Sequence, residues 1–406
     1  MAVGKSTELH LKAISGIRIG TASAGIRQNV RDDIVLFELA DTTRVAAVFT
    51  KNKFCAAPVT LARQHLADTR PNYLLVNSGN ANAGLGTQGL LAAKQCCEGL
   101  AERVNSKTAN ILPFSTGVIG EPLPVNKVID ALQAAVDDLN AEHWAKAAKG
   151  IMTTDTRVKG CSRSLELDGE TITLTGIAKG SGMIRPDMAT MLSYVATDMP
   201  ISQPVLQSML NKAVNVSFNR ITVDGDTSTN DALILMATGV VDTPEIKSED
   251  ESRYAEFLIV LSELCQYLAE SIVRDGEGAS KLIKVNVEGA ASAEDAEKVA
   301  YTVAHSPLVK TAFFASDPNW GRILAAIGRA KAEQLNVDQV SIYLGDVCIV
   351  KAGMRASDYT EAQGQHVMQQ DEITVRIDLA QGVCSTTVLT CDLSYDYVKI
   401  NAEYRS

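Results

Sequence analysis

The chain has 406 residues, 46% of them hydrophobic and 5% aromatic, and carries a formal net charge of −10. That length calls for two or three domains or layers, and the Ala-, Val-, Gly- and Leu-rich balance suits an α/β protein with a sizeable core. An acidic chain with no basic stripe argues against nucleic acid and anionic membranes as partners. In chain order, strands are expected at Ile34–Ala40, Arg44–Phe49 and Tyr73–Asn77, with helices at Gln88–Val104 and Val125–Asp138. A Gly-rich turn at Lys179–Gly182 separates strands Thr171–Ile177 and Met191–Thr197. Further on come a helix near Gln203–Val216, a strand at Ala232–Thr238 and a long helix over Asp250–Val273. Strand Lys281–Val287 and helices Ala293–Ala304 and Asn319–Lys331 follow. The end reads as strands Gln339–Tyr343, Val347–Lys351, Glu372–Asp378 and Thr386–Ile400. Mixed rather than strictly alternating elements favour sheets packed with helices over a regular doubly wound fold.

The N-terminus lacks an apolar run of signal-peptide type, and no stretch approaches the roughly 20 apolar residues of a spanning helix. The eight cysteines form no CxxC and the five histidines no paired spacing. A zinc site or disulfide framework is therefore not expected, and a reducing cytoplasm is.

Three motifs resemble chemistry that the context does not support. Gly4-Lys5-Ser6-Thr7 ends like a phosphate-binding loop but has no room upstream for its strand and first glycine. Gly84-Leu85-Gly86-Thr87-Gln88-Gly89 fits G-x-G-x-x-G, yet residues 78–83 separate it from its strand, whereas a dinucleotide fingerprint turns directly off the strand. No G-x-S-x-G elbow or histidine triad context is present, which disfavours an ordinary serine hydrolase.

The informative stretch is Lys179-Gly180-Ser181-Gly182-Met183-Ile184-Arg185-Pro186-Asp187-Met188-Ala189-Thr190-Met191-Leu192. Two glycines and a proline shape a turn before a buried strand, and a small residue precedes a hydroxyl residue. On composition alone Thr190 is an ordinary strand threonine. The run as a whole, however, resembles the signature of the ornithine acetyltransferases (glutamate N-acetyltransferases) of arginine biosynthesis. The resemblance extends through Asn77–Gly84, Ser115–Gly120, Ile151–Thr156, Asn219–Asp226, Asp317–Arg322 and Asn401–Ser406. One departure is Val158, where many members carry proline before the lysine.

The resemblance implies an N-terminal-nucleophile-like acyltransferase fold of mixed sheets packed with helices. It also implies self-cleavage between Ala189 and Thr190, giving an α chain, 1–189, and a β chain, 190–406, intertwined as one unit. The chemical reason for cutting first is plain. A threonine hydroxyl needs a base, and an α-amine with a pKa of about 7.7–8.0 serves near neutrality, whereas a peptide nitrogen does not. Gly180, Gly182 and Pro186 are placed to load the scissile turn. Thr190 then takes the acetyl group of N-acetyl-L-ornithine and passes it to L-glutamate. By the same resemblance Thr116, through its hydroxyl, and Gly117, through its backbone N–H, stabilise the oxyanion, and Thr153, Lys179, Thr190, Glu277, Asn401 and Ser406 bind substrate. Lys179 suits a substrate carboxylate. Glu277 suits the ornithine side-chain ammonium or acts electrostatically on the nucleophile. No cofactor or metal is implied, although acetyl-CoA is a co-substrate for some members, and the usual assembly is two α and two β chains. The alternative reading is a self-processing aminopeptidase or amidohydrolase with an N-terminal nucleophile.

Overall fold

Alternating apolar residues in the earlier part of the chain build two sheets rather than one. The computed structural model describes residues 2–4, 9–27, 31–185 and 191–403. Its elements begin with β1 (Ile17–Ala22), β2 (Ile34–Leu39), β3 (Arg44–Phe49), α1 (Ala57–Asp68), β4 (Tyr73–Asn80), α2 (Gly86–Arg103) and β5 (Ile111–Val118). They continue with α3 (Val125–Asp137), α4 (Trp144–Gly150), β6 (Lys159–Leu167), β7 (Glu170–Lys179), β8 (Leu192–Thr197), α5 (Gln203–Asn215), β9 (Ala232–Ala237) and α6 (Ser252–Arg274). One sheet has the order β1-β2-β4-β5 and the other β3-β9-β8-β7-β6.

These elements make up the larger of two compact units, which spans residues 9–219 and 226–272. Its sheets meet face to face. Ile19, Phe37, Val76 and Phe114 from one pack with Ile177, Tyr194, Ile234 and Met236 from the other. The outer face of the first sheet buries Leu36, Leu75 and Ile111 under Cys97, Leu100, Leu132 and Ala135 of α2 and α3. On the second sheet α5 lies against β3 and β9. There the missing side chain of Gly176 admits Leu264 and Leu268 of α6. The layers are thus helix, sheet, sheet, helix, which is why β8, central and covered on both faces, is buried at every position. Val158 is half-buried against the inter-sheet core.

The second sheet is built from both sides of residue 190. β8 runs antiparallel to β7, with Lys179 opposite Leu192, and parallel to β9, with Leu192 opposite Ala232. β9 pairs in turn with β3, from the early chain. The compact units therefore do not follow a division at 189/190.

The smaller unit comprises residues 220–225 and 273–403 with 2–4. Its elements are β10 (Leu282–Ala290), α7 (Ala293–Ala304), α8 (Pro307–Phe314), α9 (Trp320–Gly328), β11 (Ser341–Leu344), β12 (Val347–Lys351), β13 (Met354–Arg355), α10 (Glu361–Met368), β14 (Glu372–Asp378), β15 (Cys384–Cys391) and α11 (Tyr395–Ala402). The sheet order is β13-β12-β11-β14-β10-β15, with β10 and β14 parallel. Val285, Val287, Val375, Ile377 and Val388 face Val299, Val303 and Ile327 of the helices.

The expected strand Thr386–Ile400 is overturned here. β15 stops at Cys391, and Ser394 caps a helix by accepting the Tyr397 N–H, with Asp396 in the first turn. Asp392, 2% exposed, pins the corner by accepting the N–H groups of Ser280 and Lys281 at 2.8 and 2.9 Å. Among the described residues no helix is long and apolar enough to cross a membrane.

Candidate active site

The ends of β4, β5, β7 and β9 in the larger unit gather the polar groups that the sequence singles out. Asn77 takes the Ser115 hydroxyl at 2.5 Å and gives its amide to the Asn80 carbonyl. Asn230 donates to the carbonyls of Ala81 and Ser115 at 2.6 and 2.9 Å. The Asn77–Gly84 run is therefore a buried, internally hydrogen-bonded corner. The glycine-rich motif after it keeps to the bland reading: residues 81–85 stand between β4 and α2, and the Asn82 amide closes on the Gly89 carbonyl at 2.9 Å.

Thr116 and Gly117 lie on β5. Gly117 pairs with Gly79 of β4 at φ +138, where an added Cβ would stand 2.2 Å from the Gly79 carbonyl carbon. Neither strain nor volume allows a side chain there. Gly117→Ala is expected to cost roughly 2–6 kcal/mol, from overpacking and left-handed strain of ~1–3 each. A fall in the thermal midpoint of the purified variant checks this; an unchanged midpoint contradicts the close approach.

Lys179, the last residue of β7, reaches across to β5 and donates from Nζ to Thr116 Oγ1 at 3.0 Å. A hydroxyl that accepts an ammonium proton keeps its own O–H free to donate elsewhere, and the charge polarises that O–H. This pair brings together two of the residues named from the sequence.

Asp155 ties in a third. Its side chain is fully buried, and its Oδ1 accepts from Lys159 Nζ and from the Gly180 N–H, each at 2.6 Å, while Oδ2 accepts from the Thr153 N–H at 2.9 Å. Burial alone would raise this carboxyl, but the fields of Lys159 and Lys179 and the hydrogen bonds outweigh it and hold it well below the usual carboxylate range. Thr153, Lys179 and Gly180 are thereby fixed by one carboxylate. Beyond it, Ser181 and Thr154 share a hydroxyl–hydroxyl bond of 2.7 Å. Gly180 at φ +154 and Met183 at φ +57 give the turn its left-handed backbone.

Asp231 is the opposite case. It is 3% exposed, and its Oδ2 has no hydrogen-bond partner. Burial pushes it well above the usual range, offset only in part by the Ser228 hydroxyl and the field of Lys179. The segment that carries it holds both flanks of residues 186–190. Thr227 donates its hydroxyl to the Arg185 carbonyl at 3.2 Å, and the Ala232 N–H donates to the Met191 carbonyl at 2.9 Å. Sequence reasoning did not single out Asp155 or Asp231. Asp155 stands inside a quoted motif, but nothing in its spacing announces two lysines and a loop amide as partners.

Glu277 and Asn401 belong to the smaller unit, where the structure brings them together: the Asn401 amide donates to Glu277 Oε2 at 2.8 Å. Glu277 lies in the turn after α6, which the last helix closes. Ser394 donates to the Gly278 carbonyl at 2.7 Å. Ala189, Thr190 and Ser406 lie outside the described residues, as does Pro186. A cavity of about 680 Å³ opens elsewhere in the larger unit, lined by residues such as Arg18, Glu38, Asp41, Asn72 and Tyr73. It contains none of the site residues, and these polar groups bond one another.

The arrangement defines an α/β protein of two face-to-face sheets between helices, with a hydroxyl, an ammonium and two buried carboxyls gathered at the strand ends. The ArgJ family model matches residues 18–406, and the chain belongs to that family. It is 55% identical over 406 residues, all of both chains, to the arginine biosynthesis bifunctional protein ArgJ of Pseudomonas fluorescens (strain Pf0-1). It is equally 55% identical over 401 residues, 98% of each chain, to the protein of that name from Methylococcus capsulatus. Among solved structures, that of the arginine biosynthesis bifunctional protein ArgJ from Bacillus halodurans is similar at 40% identity with a TM-score of 0.51. It covers 53% of this chain, while all of that chain is matched.

Proposed function

We propose that this chain transfers the acetyl group of N-acetyl-L-ornithine to L-glutamate through an acetyl ester on Thr190, and that it first cuts itself between Ala189 and Thr190. The observation that carries the reading is the end-to-end identity of 55% to proteins of arginine biosynthesis. The Lys179–Thr116 bond supports it chemically, since it leaves a polarised hydroxyl proton to offer. The coverage of the Bacillus halodurans chain supports the cut: wholly matched, it spans 53% of this sequence, the share that runs from residue 190 to residue 406.

In the first half-reaction the freed α-amine of Thr190 takes the hydroxyl proton while Oγ attacks the acetyl carbonyl, and ornithine leaves. In the second, the α-amine of glutamate attacks the ester, and N-acetyl-L-glutamate leaves. Each tetrahedral intermediate carries an oxyanion, assigned to the Thr116 O–H and the Gly117 N–H. Pre-aimed donors of this kind are worth about 3–4 kcal/mol each. Substrate carboxylate is assigned to Lys179, and the ornithine side-chain ammonium to Glu277, whose carboxylate also holds Asn401. Thr153 and Ser406 complete the binding set.

The relatives' name includes the word bifunctional. The second activity that the resemblance implies is acetylation of glutamate by acetyl-CoA, with no bound cofactor. An assembly of two α and two β chains and a cytoplasmic location rest on the same resemblance.

The test is an assay with three feeds. N-acetylornithine with glutamate is expected to give N-acetylglutamate and ornithine in equal amounts. Acetyl-CoA with glutamate is expected to give N-acetylglutamate without ornithine. Acetate released from N-acetylornithine at a rate indifferent to glutamate would overturn the transferase in favour of a self-processing amidohydrolase.

A further inference from the structure

Self-cleavage poses a problem that acetyl transfer does not. The α-amine that serves as base in the mature protein is an amide nitrogen until the cut is made. Some other group must move the proton from Thr190 Oγ to that nitrogen, because an amide anion is not a viable leaving group.

We propose that Asp231 is the proton carrier of the self-cleavage, a role that rests on the reading of Thr190 given above. Three observations point to it. The first is position. Residue 231 directly precedes Ala232, which bonds the Met191 carbonyl, and the same segment bonds the Arg185 carbonyl through Thr227. Met191 is covalently next to Thr190, so one segment anchors the chain on both sides of the bond to be cut. The second is availability. The Asp231 side chain is buried, and its Oδ2 is without a hydrogen-bond partner, an arrangement that costs ~1–3 kcal/mol and calls for a reason. The third is contrast. Asp155 and Asp231 both feel Lys179, yet Asp155 is held ionised by two lysines while Asp231 is held neutral by burial. Paired carboxyls pushed apart in this way divide into a structural anion and an acid. Among the described residues, Lys179 is the charged group whose field reaches Asp231.

The step balances without any other reactant until the final water. Thr190 Oγ attacks the Ala189 carbonyl carbon and gives its proton to one oxygen of the Asp231 carboxyl. The other oxygen gives its proton to the Thr190 nitrogen as the C–N bond breaks. An ester and a free amine result, and Asp231 ends as it began. Water then hydrolyses the ester, leaving Ala189 with a carboxylate and Thr190 with its hydroxyl.

The experiment follows full-length chains made by cell-free synthesis, sampled over time by intact mass, beside wild type and Thr190→Ala. Asp231→Asn resembles the neutral acid in shape and charge. It is expected to fold with the wild-type thermal midpoint but to cut at least about 100-fold more slowly, the lower end of what general acid–base groups contribute. Asp231→Glu restores the acid and is expected to restore cutting in part, which a merely structural carboxyl would not do. An Asp231→Asn chain that cuts at the wild-type rate overturns the proposal. Should that variant fail to fold, Asp231→Glu decides: a folded but uncut glutamate chain also overturns it. A cut Thr190→Ala chain sinks the underlying reading instead, so the two failures are told apart.

Discussion

Thr190→Ala is expected to remain a single chain of 43.4 kDa with no acetyl transfer, while the wild type runs as two pieces, 1–189 and 190–406. Both losses have one cause. Alanine removes the oxygen that attacks the Ala189 carbonyl, so the amine that later acts as base is never released. It also removes the oxygen that would carry the acetyl group. Loss of a covalent nucleophile is on the order of 10⁶ in rate. Thr190→Ser keeps the oxygen and is expected to cut and to transfer, more slowly, because serine lacks the β-branch that limits χ1 and pre-aims Oγ. A denaturing gel and an intact mass decide the first half, and the acetyl-transfer assay decides the second. An active preparation made of uncut chain would end the mechanism.

Asp155→Asn is expected to destabilise the larger unit by roughly 3–5 kcal/mol, the cost of removing one partner of a buried ion pair. The side chains of Asp155 and Lys159 are 0% and 2% exposed, so the lysine left behind has no water to turn to. The amide also lacks the charge that holds Lys159 and the Gly180 N–H on one oxygen. The sign of the pH dependence follows from the depressed carboxyl. Its contribution is fully present above the ordinary value of 3.8 and is lost as pH falls below it toward the folded-state value. Denaturant midpoints measured from neutrality down into that acid window should therefore fall for the wild type more steeply than for Asp155→Asn, on which this carboxyl no longer acts. Equal slopes would mean that the pair contributes nothing in the native state. Because Asp155 also holds the Thr153 and Gly180 amides, cutting at 189/190 is expected to slow as well.

What the sequence reveals depends on how far each feature reaches. β8 and β9 are legible because apolar residues run through them without interruption, as central strands demand. β5 is hidden by Pro113 and by Ser115-Thr116-Gly117, which read as a turn. It is tolerated as a strand because β5 is the last strand of its sheet and Pro113 has no N–H to leave unpaired. α8 escapes notice even though Ser306 and Pro307 mark a capped start, since it has only 8 residues. The strand predicted through Thr386–Ile400 fails because its last third, Tyr-, Val- and Ile-rich, carries strand propensity, while Ser394 and the contacts of Asp392 impose a helix.

The site divides in the same way. Thr116, Gly117, Thr153 and Lys179 are recognisable from motifs, and the structure sets them around one carboxylate and one ammonium. Asp155 and Asp231 are not recognisable, because what distinguishes them is burial and the company of lysines far away in sequence. Two aspartates of identical chemistry are sent in opposite directions by surroundings that no local pattern encodes.

The interleaving of the second sheet has a consequence for the history of the molecule. Its strand order, β3-β9-β8-β7-β6, alternates chain from before and after residue 190. While the chain is whole, those strands find each other as parts of one polymer, at the high effective concentration that a tether supplies. After the cut the tether is gone, yet each piece still completes the other's hydrogen-bond ladder. Assembly is then a record of a state that no longer exists. The mature protein is held by the barrier to taking the sheet apart rather than by any ready way back, so its durability is a matter of rate. Cutting is a one-way door through which the chain passes only after it has folded.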